Sequence, residues 1–118
     1  MSYQEALEAT GAEVLDYQEF GSYQGEWLAL VRVDGVLGVA EGSYGSCSGC
    51  DSFEAEFGWG DRDADDYQER LADFGNGYLP AWSFDEIISR LEYQVEEYSW
   101  GDYEEMLDKV KAWKEAYE

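Results

Sequence analysis

Two cysteines and 28 carboxylates are the side chains in this sequence whose types and spacing could do chemistry. Cys47 and Cys50 lie in the run Tyr44-Gly45-Ser46-Cys47-Ser48-Gly49-Cys50-Asp51. Cys-x-x-Cys is the spacing of half a zinc site. A closed structural site needs four ligands, and the chain has no further cysteine and no histidine. A homodimer can pool four thiolates, or Asp51 and a glutamate can complete a weaker site. A redox dithiol is a second reading. No βαβ pattern of the thioredoxin kind surrounds it, and nearby carboxylates raise a thiol pKa. In the third reading both thiols are small buried residues that shape a glycine-rich loop.

Paired carboxylates can serve as general acid and base. Among 28 of them some pair is always close, so abundance is no specificity. The lack of histidine excludes a Ser-His-Asp set and removes the commonest metal ligand. Walker A, dinucleotide-binding and nucleophile-elbow patterns are absent. Asp63, Asp65 and Asp66 do not fall into EF-hand register, because Gly and Glu are missing from its sixth and twelfth places. The expectation is a non-enzymatic protein without a cofactor, zinc at Cys47 and Cys50 being the one metal candidate.

The charge points to a partner instead. Against 28 acids stand 7 basic residues, a formal net charge of −21. A magnitude of about 2–8 is usual for a small domain. Nothing here can neutralise a run of phosphates, so direct nucleic-acid binding is excluded, and anionic membranes are disfavoured likewise. Self-repulsion on this scale costs stability, which a cationic partner would offset. The densest run is Asp61, Asp63, Asp65 and Asp66, continuing to Glu69 and Asp73. On a helix, neighbours at such spacing sit about 5–6 Å apart. Glu96 and Glu97 lead a second group. Together these eight acids are the candidate contact set for a basic nucleic-acid-binding protein. An acidic surface can occupy its groove in place of DNA and release the same counterions. Ten Tyr and five Trp add interface anchors and the apolar area that acidic disordered tails lack.

The Tyr44–Asp51 stretch resembles a Y-G-S-C-S-G-C-D motif of small, mostly uncharacterised proteins encoded by bacteriophages. The resemblance covers about a dozen residues, Gly42 to Phe53, and implies a phage origin without assigning an activity. Small acidic phage proteins include DNA mimics that inhibit restriction enzymes, CRISPR effectors or uracil-DNA glycosylase, so an inhibitor of this type is the expectation. The alternative is a structural or adaptor protein that could dimerise through the Cys-x-x-Cys loop by zinc or disulfide.

The elements that must position these groups follow from periodicity. Ser2-x-x-Glu5 opens a short helix that reaches Gly11. Residues 13–20 fit a strand or an irregular segment. Glu26 to Val33 is a strand with two largely apolar faces, hence central. Asp34-Gly35 predicts a type I′ hairpin to a second strand, Val36 to Glu41, in which Gly38 marks a bulge or close contact. Residues 51–57 fit a strand slightly better than a helix. A helix is expected over 63–74, with Ala64, Tyr67, Leu71 and Phe74 on its apolar stripe. Ser83-x-x-Glu86 and Asp102-x-x-Glu105 open two final helices, and Glu105 and Lys109 are spaced for an ion pair. The expected fold is α+β: one compact domain over 1–118, a small antiparallel β-meander packed with helices and ending in a helical hairpin. No apolar run approaches 18 residues, and Met1 to Glu5 has no signal-peptide character, so a cytoplasmic location is expected, in a bacterial host if the phage resemblance holds.

Overall fold

The computed structural model describes residues 2–21, 25–45, 51, 53, 57, 65–98 and 102–118. The elements are α1 (Ser2–Ala9), β1 (Glu13–Gly21), β2 (Gly25–Val33), β3 (Val36–Tyr44), α2 (Tyr67–Asn76), α3 (Phe84–Glu97) and α4 (Tyr103–Tyr117). The three strands form an antiparallel meander in the order β1-β2-β3, and the fold is α+β. No helix among the described residues is long and apolar enough to cross a membrane.

The central strand is apolar on both faces because helices cover both. Trp27, Ala29 and Val31 pack with Tyr3, Ala6 and Leu7 of α1, with Tyr67 and Leu71 of α2, and with Phe53 and Phe57. Leu28 and Leu30 point the other way, into Phe84, Ile87 and Leu91 of α3 and Met106, Val110 and Trp113 of α4. The β2–β3 hairpin turns through Asp34 (φ 52°) and Gly35 (φ 83°), the two positive values a type I′ turn requires. Gly11 ends α1 at φ 94°, a left-handed value suited to glycine.

Several expectations change in detail. Phe53 and Phe57 are helical, and their rings lie 4.7 Å apart at i,i+4 spacing, which replaces the strand reading at these two positions. The helix expected from 63 begins at Tyr67, after a turn at Asp65 and Asp66; Asp61, Asp63 and Ala64 lie outside the described residues. Strand β3 runs on to Tyr44, into the segment expected to loop. Ser83 and Glu86 form the full capping box, whereas Asp102 makes no side-chain cap. Lys109 turns away from Glu105 to meet Asp16 on β1, 3.3 Å away.

Each sheet edge is covered at one or two positions. Val39 exchanges two 2.8 Å backbone hydrogen bonds with Trp82, and a Cβ on Gly38 would sit 2.8 Å from that of Ala81. This is the close contact the glycine marked. On β1 the alternation of the ladder turns Tyr17 N–H and Glu19 C=O away from β2. Local side chains take both: Tyr17 N–H donates to Asp16 Oδ1 (2.9 Å), and Gln18 Nε2 donates to the Glu19 carbonyl (3.0 Å).

Candidate functional site

The cations of the chain are mostly spent on holding elements together. Arg32 pairs with Glu13 across β1 and β2, and Arg90 of α3 with Glu41 of β3. Lys109 ties α4 to Asp16 of β1, and Lys114 ties α4 to Asp85 of α3 at 2.8 Å. Arg70 lies over the Phe57 ring, 5.2 Å from its centre. Asp85 apart, the exposed acids within the helices form no ion pair among the described residues.

The two acid groups occupy helices on opposite faces of the sheet. Asp65, Asp66, Glu69 and Asp73 are exposed at the start and outer side of α2, on the Trp27 face. Glu96 and Glu97 are exposed in the last turn of α3, on the Leu28 face. None of the six forms an ion pair among the described residues. Asp66 and Glu69 complement the helix dipole at the start of α2. Asp73, Glu96 and Glu97 oppose it, because they lie in last turns that contain no basic residue. Charge placed against the dipole costs about 0.3–1 kcal/mol per group. By contrast α4 follows the dipole, with Glu104 and Glu105 in its first turn and Lys114 in its last.

The α3 end also exposes aromatic surface. Tyr93 is 60% and Tyr98 43% exposed. Tyr93 lies three and four residues before Glu96 and Glu97, and Glu92 precedes Glu96 by one turn, so all four share one outward side. The large hydrophobics that stand exposed among the described residues are Val36, Trp82, Tyr93, Tyr98 and Tyr117, none of them on α1 or α2.

Beneath this end of α3 lies a polar cavity of about 260 Å³, lined by Glu26, Glu41, Gly42, Ser43, Arg90, Gln94 and Tyr103. Glu26 and Glu41 extend the inward rows of Leu28 and Val39, so strand alternation carries two carboxylates under the helical hairpin. Desolvation raises the pKa of Glu41, with Arg90 opposing and Glu26 adding to it. Desolvation and then the charge of Asp102 raise that of Glu26, against a smaller pull from Arg90. Arg90 bonds Glu41 and stacks over Trp82, 5.3 Å from the ring centre. Glu26 has no hydrogen bond or ion pair among the described residues, and Gln94 Oε1 is shut from solvent without a donor. Sequence patterning missed this cavity. Its signal was a Glu on each of two neighbouring strands at positions where apolar residues should point inward.

Cys47 and Cys50 lie outside the described residues, but the frame of their loop is visible. Asp51 is buried, and its Oδ1 accepts from the Tyr3 hydroxyl and from Phe53 N–H (2.9 Å). Its Oδ2 accepts from Gly45 N–H at 3.4 Å, which draws the two ends of the loop together. The Tyr44 hydroxyl donates to the Phe20 carbonyl (2.8 Å). The outer residues of the motif are thus a clasp, and both oxygens offered to a metal by Asp51 are already engaged inside the fold. Among the described residues no group of three or more Cys, Asp or Glu is placed to hold a metal ion.

Comparison of the chain with protein-family models, with curated proteins and with solved structures finds no match.

Proposed function

We propose that this protein is a non-catalytic inhibitor that engages the cationic surface of a nucleic-acid-handling protein and does so through the C-terminal end of α3. One observation carries the reading. Glu96 and Glu97 sit unpaired against their own helix dipole, with Glu92, and the exposed Tyr93 and Tyr98 stand among them. Such a patch is costly in the free protein and well suited to a basic partner. Long-range attraction from the net charge of −21 speeds encounter, and the tyrosines slow release. The contact would displace DNA or RNA by occupying the same groove and releasing the same counterions. The acids of α2, across the sheet, contribute to steering and form a second, aromatic-free face. The likeness of the Cys-x-x-Cys loop to phage proteins favours a host restriction, CRISPR or repair component as the target.

The test is capture from bacterial lysate on immobilised full-length protein at low and high salt, with and without added duplex DNA, followed by mass spectrometry. A nucleic-acid-handling protein retained at low salt and released by salt and by DNA is the expected result. Partners indifferent to both would overturn mimicry and favour an adaptor role.

A further inference from the structure

The ladder of the sheet leaves part of β3 without a neighbour. The turn at Asp34 and Gly35 makes Val33 and Val36 a hydrogen-bonded pair. From there the alternation turns the main chain of Gly38, Ala40 and Gly42 toward β2, and that of Val39, Glu41 and Ser43 outward. Val39 spends its N–H and C=O on Trp82. The covering segment ends there: Ala81 before Trp82 packs on Gly38, and Ser83 after it caps α3. Continuing the Val39–Trp82 register by two places sets Glu41 against Pro80, which has no N–H. Among the described residues, the outward N–H and C=O of Glu41 and Ser43 meet no hydrogen-bond partner, and Ser43 is exposed.

This stretch of edge runs beside α3. Arg90 reaches from the helix to the Glu41 side chain, and Gln94, one turn on, lines the same cavity as Ser43. Gly42 has no side chain, so the cavity wall it forms is main chain of β3 itself. Side chains that donate (Ser43, Gln94, Tyr103) and that accept (Glu26, Glu41) share this lining. Such a mixture suits a peptide, whose main chain does both. An extended peptide adds to a free edge as a further strand, main-chain hydrogen bonds giving affinity and alternate side chains specificity. Charge selects the occupant. A second copy of this chain brings the same formal charge of −21 and is repelled, whereas a basic segment meets Glu41 on the edge and Glu26 and Asp102 beside it.

We propose that the outer edge of β3 at Glu41–Ser43 takes an extended, basic segment of a partner protein as a further strand of the sheet. The proposal rests on the reading of the partner as cationic and adds the form in which that partner docks.

The probe is a blocked pentapeptide, Arg-Val-Arg-Val-Arg, titrated into the full-length protein at fixed ionic strength. Its controls are the same peptide with Glu for Arg, and the Arg peptide with every amide N-methylated. Amide correlation spectra and hydrogen exchange are read at the Glu41 and Ser43 N–H groups, with the already bonded Val39 N–H as internal reference. The Arg peptide is expected to shift Glu41 and Ser43 saturably and to slow their exchange about tenfold, leaving Val39 unchanged. The N-methylated peptide keeps the charge and loses the main-chain donors, so it should bind about tenfold more weakly. The Glu peptide should not bind. Ser43→Pro removes an outward N–H that no described residue uses, so it should keep the wild-type melting temperature and lose the slowing at Glu41. Unchanged exchange at saturating Arg peptide, or equal affinity of its N-methylated form, overturns the proposal. So does the same slowing produced by protein concentration alone, which assigns the edge to a second copy. Peptide docking without a DNA-displaceable protein from lysate leaves the edge standing and overturns the inhibitor reading. DNA-displaceable capture by Ser43→Pro at wild-type yield does the reverse.

Discussion

The Tyr3 hydroxyl donates to the Asp51 carboxylate across 48 positions of sequence and joins the first turn of α1 to the base of the Cys-x-x-Cys loop. Both residues are buried, and the ring of Tyr3 stacks on Trp27 of the central strand, 5.3 Å between centres. Burial and the hydrogen bond to Asp51 raise the pKa of the phenol, so it stays a donor throughout the working pH range. Removing the donor leaves a buried carboxylate short of a partner. Tyr3→Phe is therefore expected to cost about 1.5–3 kcal/mol in urea unfolding. Paired with Asp51→Ala in a double-mutant cycle, it should show coupling above about 0.5 kcal/mol. Additive effects would show that the two residues act separately.

A second expectation concerns how β3 passes the largest core side chain. A Cβ on Gly42 would lie 2.6 Å from the six-membered ring of Trp27. Gly42→Ala must displace an indole that is fully buried, at a cost of about 1–3 kcal/mol. The indole emission should shift as well, and an unchanged melt and spectrum would refute the packing described.

Self-capping of β1 makes a prediction about association. Asp16 Oδ1 accepts from the outward Tyr17 N–H, Gln18 Nε2 donates to the outward Glu19 carbonyl, and a register shift between Val14 and Asp16 bends the strand. Exposed edges template pairing with other chains. An Asp16→Ala/Gln18→Ala double variant is expected to self-associate in light scattering at high salt, where charge repulsion is screened. Because Asp16 also accepts from Trp113 Nε1 (2.9 Å), the Gln18→Ala single variant serves as the control of intact fold. Equal scattering from wild type and double variant would show that the caps do not protect this edge.

The cavity sets a pH dependence. Glu26 and Glu41 have folded pKa values above the ordinary 4.5, chiefly through desolvation, so the native state holds these protons more tightly than the unfolded chain. Their stabilising effect is fully present below the ordinary value and is lost as pH rises through the raised one. Asp16 runs the other way. Burial alone would raise it, but Trp113 N–H, Tyr17 N–H and Lys109 outweigh burial and hold it below 3.8, so its contribution is lost only in stronger acid. The melting temperature should rise from pH 7 to pH 5. Glu26→Gln should exceed wild type most at pH 7, the gap narrowing toward pH 5. A constant gap would contradict the desolvated state of Glu26.

Much of this molecule was legible in its residues. The two-faced apolar pattern of Trp27 to Val31 places β2 at the centre, and the stripes Phe84, Ile87, Leu91 and Met106, Val110, Trp113 define the hairpin that covers it. Asp34-Gly35 and the Ser83 capping box fixed boundaries locally. What escaped depends on contacts between distant segments. Asp102 has the sequence of a capping box but does not close one, and Lys109 meets Asp16 across the sheet in preference to its neighbour Glu105 on the helix. Alternation at 51–57 suggested a strand, whereas Phe53 and Phe57 use i,i+4 spacing to meet the Tyr3 cluster. The acids were legible as a set; their division between two faces, and the company Glu96 keeps with Tyr93, required the packing of α3 on the sheet.

The most direct measurement compares capture from bacterial lysate by three full-length proteins at matched low salt. These are wild type, Tyr93→Ala/Glu96→Gln/Glu97→Gln, and Asp65→Asn/Asp66→Asn/Glu69→Gln/Asp73→Asn. The substituted positions are exposed, so each variant is expected to melt within about 0.5 kcal/mol per substitution of wild type. The expected result is a nucleic-acid-handling partner that added duplex DNA displaces from wild type, that the α3 variant fails to capture, and that the α2 variant retains at reduced yield. Undiminished capture by the α3 variant, or a partner that DNA does not displace, would contradict it.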